Sequence, residues 1–271
     1  MSMSQVTFQT QSAVAETLFI PLYARAAETQ RPDALIKDEK AAALVKQLNY
    51  DFSRVKFQTH DQASIILRLR EFDHLARDFL ARHPEAVVVH LGCGLDTRFE
   101  RVDNGQVEWY DLDLPEVIEL RRQIIGGEGT RYHYLACSVF DSAWLDMVSR
   151  QRPCLFLAEG VLVYFDEAQI KSLVLTLQER FPRAELVCDA MTPFMVRANN
   201  WQLAFSKISA RVRWGLRHAR DLESWSEGIC LLNEWYYFDH PEPRLGHLEW
   251  LRYFPPLVKA MGVFHYRLGS K

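Results

Sequence analysis

Ala86-Val87-Val88-Val89-His90-Leu91 runs directly into Gly92-Cys93-Gly94. A short β-branched run closed by two glycines reads as a buried parallel strand stopped by a tight turn. Strand and helix patterns alternate beyond it. Val107 to Asp111, Arg131 to Leu135, Cys154 to Ala158 and Glu185 to Asp189 are strand-like; Pro115 to Ile125, Asp141 to Arg150 and Glu167 to Phe181 are helical, the first with proline in its opening turn. Such alternation predicts an α/β chain, doubly wound around a mostly parallel sheet. Two further strand patterns, Ile229 to Phe238 and Val263 to Leu268, bring the expected sheet to seven strands.

Outward from this core the rhythm changes. Apolar residues recur at helical spacing from Val14 to Leu48, broken at Arg31-Pro32-Asp33, and again from Gln62 to Arg82, so residues 1–84 read as a helical cap without strands. Residues 85–191 form the ligand-binding core. Thr192 to Ser226, rich in Arg, Trp and Phe, is long enough for two helices and reads as a lid over the sheet edge. Its tryptophans, Trp201, Trp214 and Trp225, suit core packing better than a pocket. Residues 227–271 supply the last strands around a helix, Leu245 to Met261, which Pro255-Pro256 must bend or break. The whole is read as a single domain around one core.

Composition excludes several classes of function. Hydrophobic residues are 48% and charged residues 25% of the 271, an ordinary globular balance. Lys plus Arg number 32 against 35 Asp plus Glu, a net charge of -3, so nothing favours a nucleic-acid backbone as partner. No apolar run approaches the roughly 20 residues of a membrane helix. The polar stretch Met1 to Ser12 lacks the marks of a secretory signal, and the expected location is the cytoplasm. Cys93, Cys137, Cys154, Cys188 and Cys230 are odd in number and widely spaced, reading as reduced thiols; no Cys-x-x-Cys or close histidine pair suggests a metal.

In an open α/β sheet the ligand sits beyond the carboxyl ends of the strands, and the first turn is the usual contact. A dinucleotide turn needs a third glycine against the pyrophosphate, where this sequence has Thr97. S-adenosylmethionine has an adenosine but no phosphate, and a two-glycine turn suffices for it. Asp111 and Asp113 follow about 20 residues after the glycines, where an acid accepts from ribose hydroxyls; at i and i+2 they share a face if the strand continues. Asp96 reads as the N-cap of the helix after the turn.

Three strings in order, His90-Leu91-Gly92-Cys93-Gly94-Leu95-Asp96-Thr97-Arg98, Tyr110-Asp111-Leu112-Asp113-Leu114-Pro115 and Ala158-Glu159-Gly160-Val161-Leu162-Val163-Tyr164, closely resemble the leucine carboxyl methyltransferase superfamily. Arg31-Pro32-Asp33-Ala34-Leu35-Ile36 and Arg68-Leu69-Arg70-Glu71-Phe72-Asp73 resemble its bacterial branch, typified by the tetracenomycin polyketide methyltransferase. The resemblance spans nearly the whole chain. It implies a class I, Rossmann-like methyltransferase fold, S-adenosylmethionine as cofactor and methyl transfer to oxygen. It further implies that Gly92 and Gly94 line the methionyl part, Asp113 with Asp111 holds the ribose, Glu159 faces the amino group, and Arg68 or Arg70 pairs with the carboxylate. Where the family carries Asp-Leu for the adenine, this chain has Ser138-Val139. Ser138 offers one hydrogen bond and no charge.

Methyl transfer is an in-line displacement, so positioning and exclusion of water dominate. A carboxylate acceptor is already ionised at neutral pH and needs no base; a phenol gains from one. None of His60, His133, His218, His240 and His247 sits in a motif that marks it as a base, and no catalytic residue is assigned. Tyr164 can reach a substrate or serve packing, and Arg197, Arg211, Arg213 and Arg217 of the lid can hold an anionic acceptor or face solvent. The reading is thus an O-methyltransferase of a small-molecule carboxylate or phenol, possible polyketide chemistry included. The competing readings are a methyltransferase of a protein's C-terminal leucine and a non-catalytic nucleoside-binding module; Thr97 disfavours a nicotinamide enzyme. Oligomeric state and acceptor identity are left open.

Overall fold

A computed structural model of the chain describes residues 18–52, 59–203, 211–239 and 241–269. Three helices come first: α1 (Phe19–Thr29), α2 (Glu39–Gln47) and α3 (Thr59–Arg82). Asp38 caps α2 by accepting from Ala41 N at 2.9 Å, and α1 and α2 bury Phe19, Leu22 and Leu44 against Leu95 and Leu120.

The core follows in the order β1 (Val87–Leu91), α4 (Arg98–Val102), β2 (Glu108–Asp113), α5 (Pro115–Ile124), β3 (Tyr132–Ala136), β4 (Cys154–Ala158), α6 (Glu167–Arg180) and β5 (Ala184–Met191). Then come α7 (Pro193–Leu203), β6 (Cys230–Tyr236), α8 (Pro255–Val258) and β7 (Met261–Arg267). The seven strands lie in the order β3-β2-β1-β4-β5-β7-β6. Strands β1 to β5 pair in parallel, and β7 runs antiparallel between β5 and β6. Strand order reverses between β1 and β4, which places a ligand crevice at their carboxyl ends.

Alternate residues of each strand face opposite layers. Val87, Val89, Leu91 and Phe156 pack under Ile170, Val174 and Leu177 of α6, while Val88, Leu155 and Leu157 pack under Phe72, Ala76 and Phe79 of α3. Helix α3 therefore covers one face of the sheet and is more than a cap above it. Among the described residues no helix is long and apolar enough to cross a membrane. All five cysteines are free thiols.

Three expected helices differ from the observed structure. The span from Asp141 to Arg150 forms only a 3-10 turn, Ser142–Asp146, because its apolar residues suffice to anchor a single turn: Trp144, Leu145 and Val148 are buried while Met147 is exposed. The last helical span divides at Gly246, whose φ of 56° interrupts the 3-10 segment Pro243–Tyr253, and resumes as α8, opened by Pro255-Pro256. Of the two lid helices, α7 is present; residues 204–210 lie outside the described residues, and 211–220 follow an irregular path. Trp214 is buried in the main core and Trp225 packs against it, whereas the Trp201 side chain lies outside the described residues.

Candidate active site

Beyond the carboxyl ends of β1, β2, β4 and β5 lies a cavity of about 700 Å³. Gly92 and Gly94 form its floor at φ of +61° and +53°, backbone that L side chains rarely adopt. A Cβ on Gly92 would come within 2.4 Å of Val161 Cγ2, so that glycine also allows the turns after β1 and β4 to touch.

The two β2 acids separate in function. Asp113 lines the cavity, Oδ2 accepting from Gly94 N and Oδ1 from Leu114 N, both at 2.7 Å. Burial pushes its carboxyl above the ordinary aspartate range, against those two backbone donors. Each oxygen retains a lone pair for a ribose hydroxyl. Asp111, expected beside it at the ribose, is instead buried beneath the cavity: it accepts from Trp109 Nε1 at 2.8 Å and Tyr132 Oη at 2.5 Å and pairs with Arg121. Burial raises its carboxyl, but Arg121, His90 and Tyr132 together outweigh that and the net direction is down. Arg121 in turn donates to Gly94 O at 2.7 Å and Asp96 O at 2.8 Å. Asp111 thus braces the glycine turn through an arginine.

Asp96 does not cap α4. Thr97 occupies the N-cap position, and its hydroxyl donates to Asp38 Oδ2 at 2.7 Å rather than holding the helix. The Asp96 carboxylate takes Arg101 Nη1 at 2.9 Å and Arg98 Nη2 at 3.2 Å, with Arg25 at 3.8 Å. Against its burial, these arginines hold it well below the usual carboxylate range. Charge pairing wins over capping because the residue is enclosed on all sides.

Glu159, at the end of β4, lines the cavity and accepts from Arg68 Nε at 3.0 Å and Arg98 Nη2 at 2.5 Å. It is not a strand-end acid in water: its side chain is 7% exposed. Between the two candidates of α3 the cavity takes Arg68, which also donates from Nη1 to Asp189 Oδ2 at 3.1 Å; Arg70 does not line it. Only two of the five Arg68 N–H groups are used by these acids, leaving an edge for a ligand carboxylate. Ser138 and Val139 line the wall after β3. Asp141 Oδ2 accepts from Ser138 N at 2.9 Å, and Ser138 Oγ accepts from Phe140 N at 3.3 Å, which leaves the hydroxyl proton to donate. Tyr164, in the 3-10 turn Leu162–Tyr164, is half-buried in the cavity wall.

Several lining residues escaped the sequence reading. Asp189 lies two residues before the end of β5, and its place near the carboxyl end of a parallel strand was the available signal. Arg98, two residues after Asp96, lies behind the lining with a fully buried side chain and joins Asp73, Asp96 and Glu159 in an ion-pair network. The histidine in the cavity is His90, absent from the histidines considered as bases. Arg98 Nη1 lies 3.3 Å from His90 Nε2; as arginine can only donate, that nitrogen is the acceptor and the proton sits on Nδ1, toward Asp111 Oδ1 at 3.6 Å. None of His60, His133, His218 and His247 lines the cavity, and His240 lies outside the described residues. Of the four lid arginines considered, Arg213 alone lines it.

The lid side is mostly apolar. Val163, Val196 and Val212 cluster with Tyr164 and Met191. Asn200 of α7 clasps Val212 in both directions, donating to its carbonyl at 2.6 Å and accepting from its N–H at 3.0 Å. Arg213 N donates to Val163 O at 2.7 Å, and its guanidinium lies 3.5 Å from Asp166, both side chains largely exposed.

Comparison with known proteins places this geometry. The sequence profile described as leucine carboxyl methyltransferase matches residues 19–178, more than half of the chain. The chain is 37% identical over 231 residues, 85% of each protein, to the tetracenomycin polyketide synthesis O-methyltransferase TcmP of Streptomyces glaucescens. It is 30% identical over 287 aligned positions, 96% of this chain and 94% of the other, to the S-adenosyl-L-methionine-dependent methyltransferase dpfgK of Gibberella zeae. A Thermobifida fusca crystal structure solved under a methyltransferase assignment shares the fold, with a TM-score of 0.58 at 16% identity, covering 91% of this chain and 94% of that one. The motifs, the class I sheet and the matched profile agree: the chain belongs to the leucine carboxyl methyltransferase family.

Proposed function

We propose that this methyltransferase acts on oxygen, with a small-molecule carboxylate or phenol of polyketide-like character as its acceptor. Its methyl donor is S-adenosylmethionine. The residues present suit that group. Arg68, Glu159 and Asp189 together carry one net negative charge around a guanidinium with free N–H groups, which matches an amino acid bearing both an ammonium and a carboxylate. Asp113 offers two oxygens to a ribose, and Ser138 with Val139 offers one hydroxyl and an apolar surface to an adenine. The observation that carries the reading is this juxtaposition of a zwitterion grip with an apolar lid side in one cavity.

When bound, the cofactor supplies an electrophilic methyl group on a sulfonium. The chain's own residues bind, orient and shield. Met191, Val163 and Val212 exclude water from the acceptor side, and Arg213 gives an anionic acceptor a counter-charge at its rim. His90 Nε2 is engaged by Arg98, so it is poorly placed to take a proton from an acceptor. An acceptor that arrives ionised fits such a site best.

The test combines calorimetric titration of S-adenosylhomocysteine with turnover of radiolabelled S-adenosylmethionine on a panel of aromatic acids, phenols and amines. Labelled product should form with acids or phenols; mild base releases methanol from an ester and leaves an aryl ether intact. Transfer confined to amines, or to the C-terminus of peptides, would overturn the assignment. Binding without turnover across the panel would favour a non-catalytic nucleoside-binding module.

A further inference from the structure

One carboxylate in the cavity has so far been counted only for its charge. Asp189 lies near the carboxyl end of β5, its side chain 10% exposed. Oδ1 accepts from Gly160 N at 2.6 Å and Oδ2 from Arg68 Nη1 at 3.1 Å. Gly160 sits in the turn that carries Glu159, at φ of +64°, and a Cβ there would lie 3.6 Å from the Arg68 guanidinium. One side chain therefore ties the turn after β4 to the arginine of α3 that lies across it.

Arg68 is held from two sides, by Glu159 at Nε and by Asp189 at Nη1. Glu159 has a second partner in Arg98, whereas the Arg68 guanidinium, on a long flexible stem, takes its orientation from these two acids together with a hydrogen bond to Tyr237. With both bonds made, Arg68 lines the cavity with N–H groups that neither acid uses. Loss of the Asp189 charge leaves one acid to aim the guanidinium, so pre-organisation suffers before the fold does.

We propose that Asp189 is a positioning residue for the amino-acid portion of the cofactor, fixing Arg68 and the Glu159-Gly160 turn as one grip for an ammonium and a carboxylate. This rests on the cavity being the S-adenosylmethionine site. The grip contributes to ligands that carry the amino acid and nothing to ligands that lack it.

The experiment compares S-adenosylhomocysteine with 5′-methylthioadenosine, which keeps the adenosyl sulfur and has no amino acid, by calorimetry on the full chain. In Asp189→Asn, which retains an oxygen for Gly160 N, the first should weaken by about 30-fold and the second by no more than about twofold. In an Arg68→Gln background the Asp189→Asn effect should vanish. Equal weakening of both ligands, no weakening of the first, or additive losses in the double variant would overturn the proposal. Should Asp189→Asn not fold, Asp189→Glu enters the same comparison with the same criteria. Wild-type protein that binds neither ligand defeats the cofactor reading and this proposal together; wild type that binds both beside an unaffected variant defeats this proposal alone.

Discussion

At the end of the cavity beside Arg68, Arg25, Arg68, Arg98 and Arg101 interlock with Asp38, Asp73, Asp96, Glu159 and Asp189, nearly all of them buried. At the lid side the walls are Val163, Val212 and Met191, with Val196 packed against them, and a charge pair there, Arg213 with Asp166, lies 3.5 Å apart in contact with solvent. The first end is rigid because every charge there has few alternatives once water is gone. The second is held by apolar contact and one asparagine clasp, which adapts to shape at small cost. That difference is what the proposed function asks for: a fixed grip on a constant cofactor and an adaptable wall for an acceptor.

The most severe way to break the contrast is at Arg98. Arg98→Leu leaves Asp73, Asp96 and Glu159 short of a buried partner and should cost about 3–5 kcal/mol of stability, read as a shift of the urea midpoint. A loss under about 1 kcal/mol would mean that the network is as loosely held as the lid side. Next comes Gly92→Ala, which forces a Cβ toward Val161 at positive φ and should weaken S-adenosylhomocysteine by about 30-fold, or about 2 kcal/mol, in calorimetry. Arg213→Gln should raise KM for anionic acceptors by about tenfold while leaving cofactor affinity unchanged, in keeping with an exposed guanidinium.

The smallest expected effect is one of pH. Burial raises the Asp113 and Asp189 carboxyls above the ordinary aspartate range, near 3.9, in the ligand-free protein. On the proposed reading their ionised forms accept from ribose and from Arg68, so affinity for the cofactor should be complete above the raised values. It declines as pH falls through them, beginning above the range of a free aspartate. The sign for stability is opposite: a carboxyl raised on folding stabilises most below its unfolded pKa, and that contribution disappears as pH rises through the folded one. Calorimetric affinities measured from about pH 7 to about pH 4, beside thermal melts of the ligand-free protein, should diverge in this way.

Much of the core was readable because local chemistry settled it. Three valines before two glycines leave few options, and β1, β4 and α6 lie within a residue or so of their expected spans. The pairing of Asp111 with Arg121, ten residues on, was not readable: periodicity places both β2 acids on one side, but only tertiary packing decides which one meets solvent and which meets a guanidinium. The same holds for Arg98 and Asp189, whose partners are 61 and 121 residues distant in sequence. Of the lid, α7 follows from its own residues, while the choice of Arg213 among four arginines depends on how the chain returns past Asn200.

Arg68 stands one turn upstream of Phe72 and two upstream of Leu75, at the head of the apolar stripe by which α3 lies on the sheet. The helix acts as a ruler whose scale is set by hydrophobic contact and whose pointer is a guanidinium. Insertion of a single residue between the stripe and Arg68 would swing that pointer by about 100° and move it about 1.5 Å along the axis. Changes in length along this chain should therefore be tolerated before α3 or after β5 far more readily than within α3 itself.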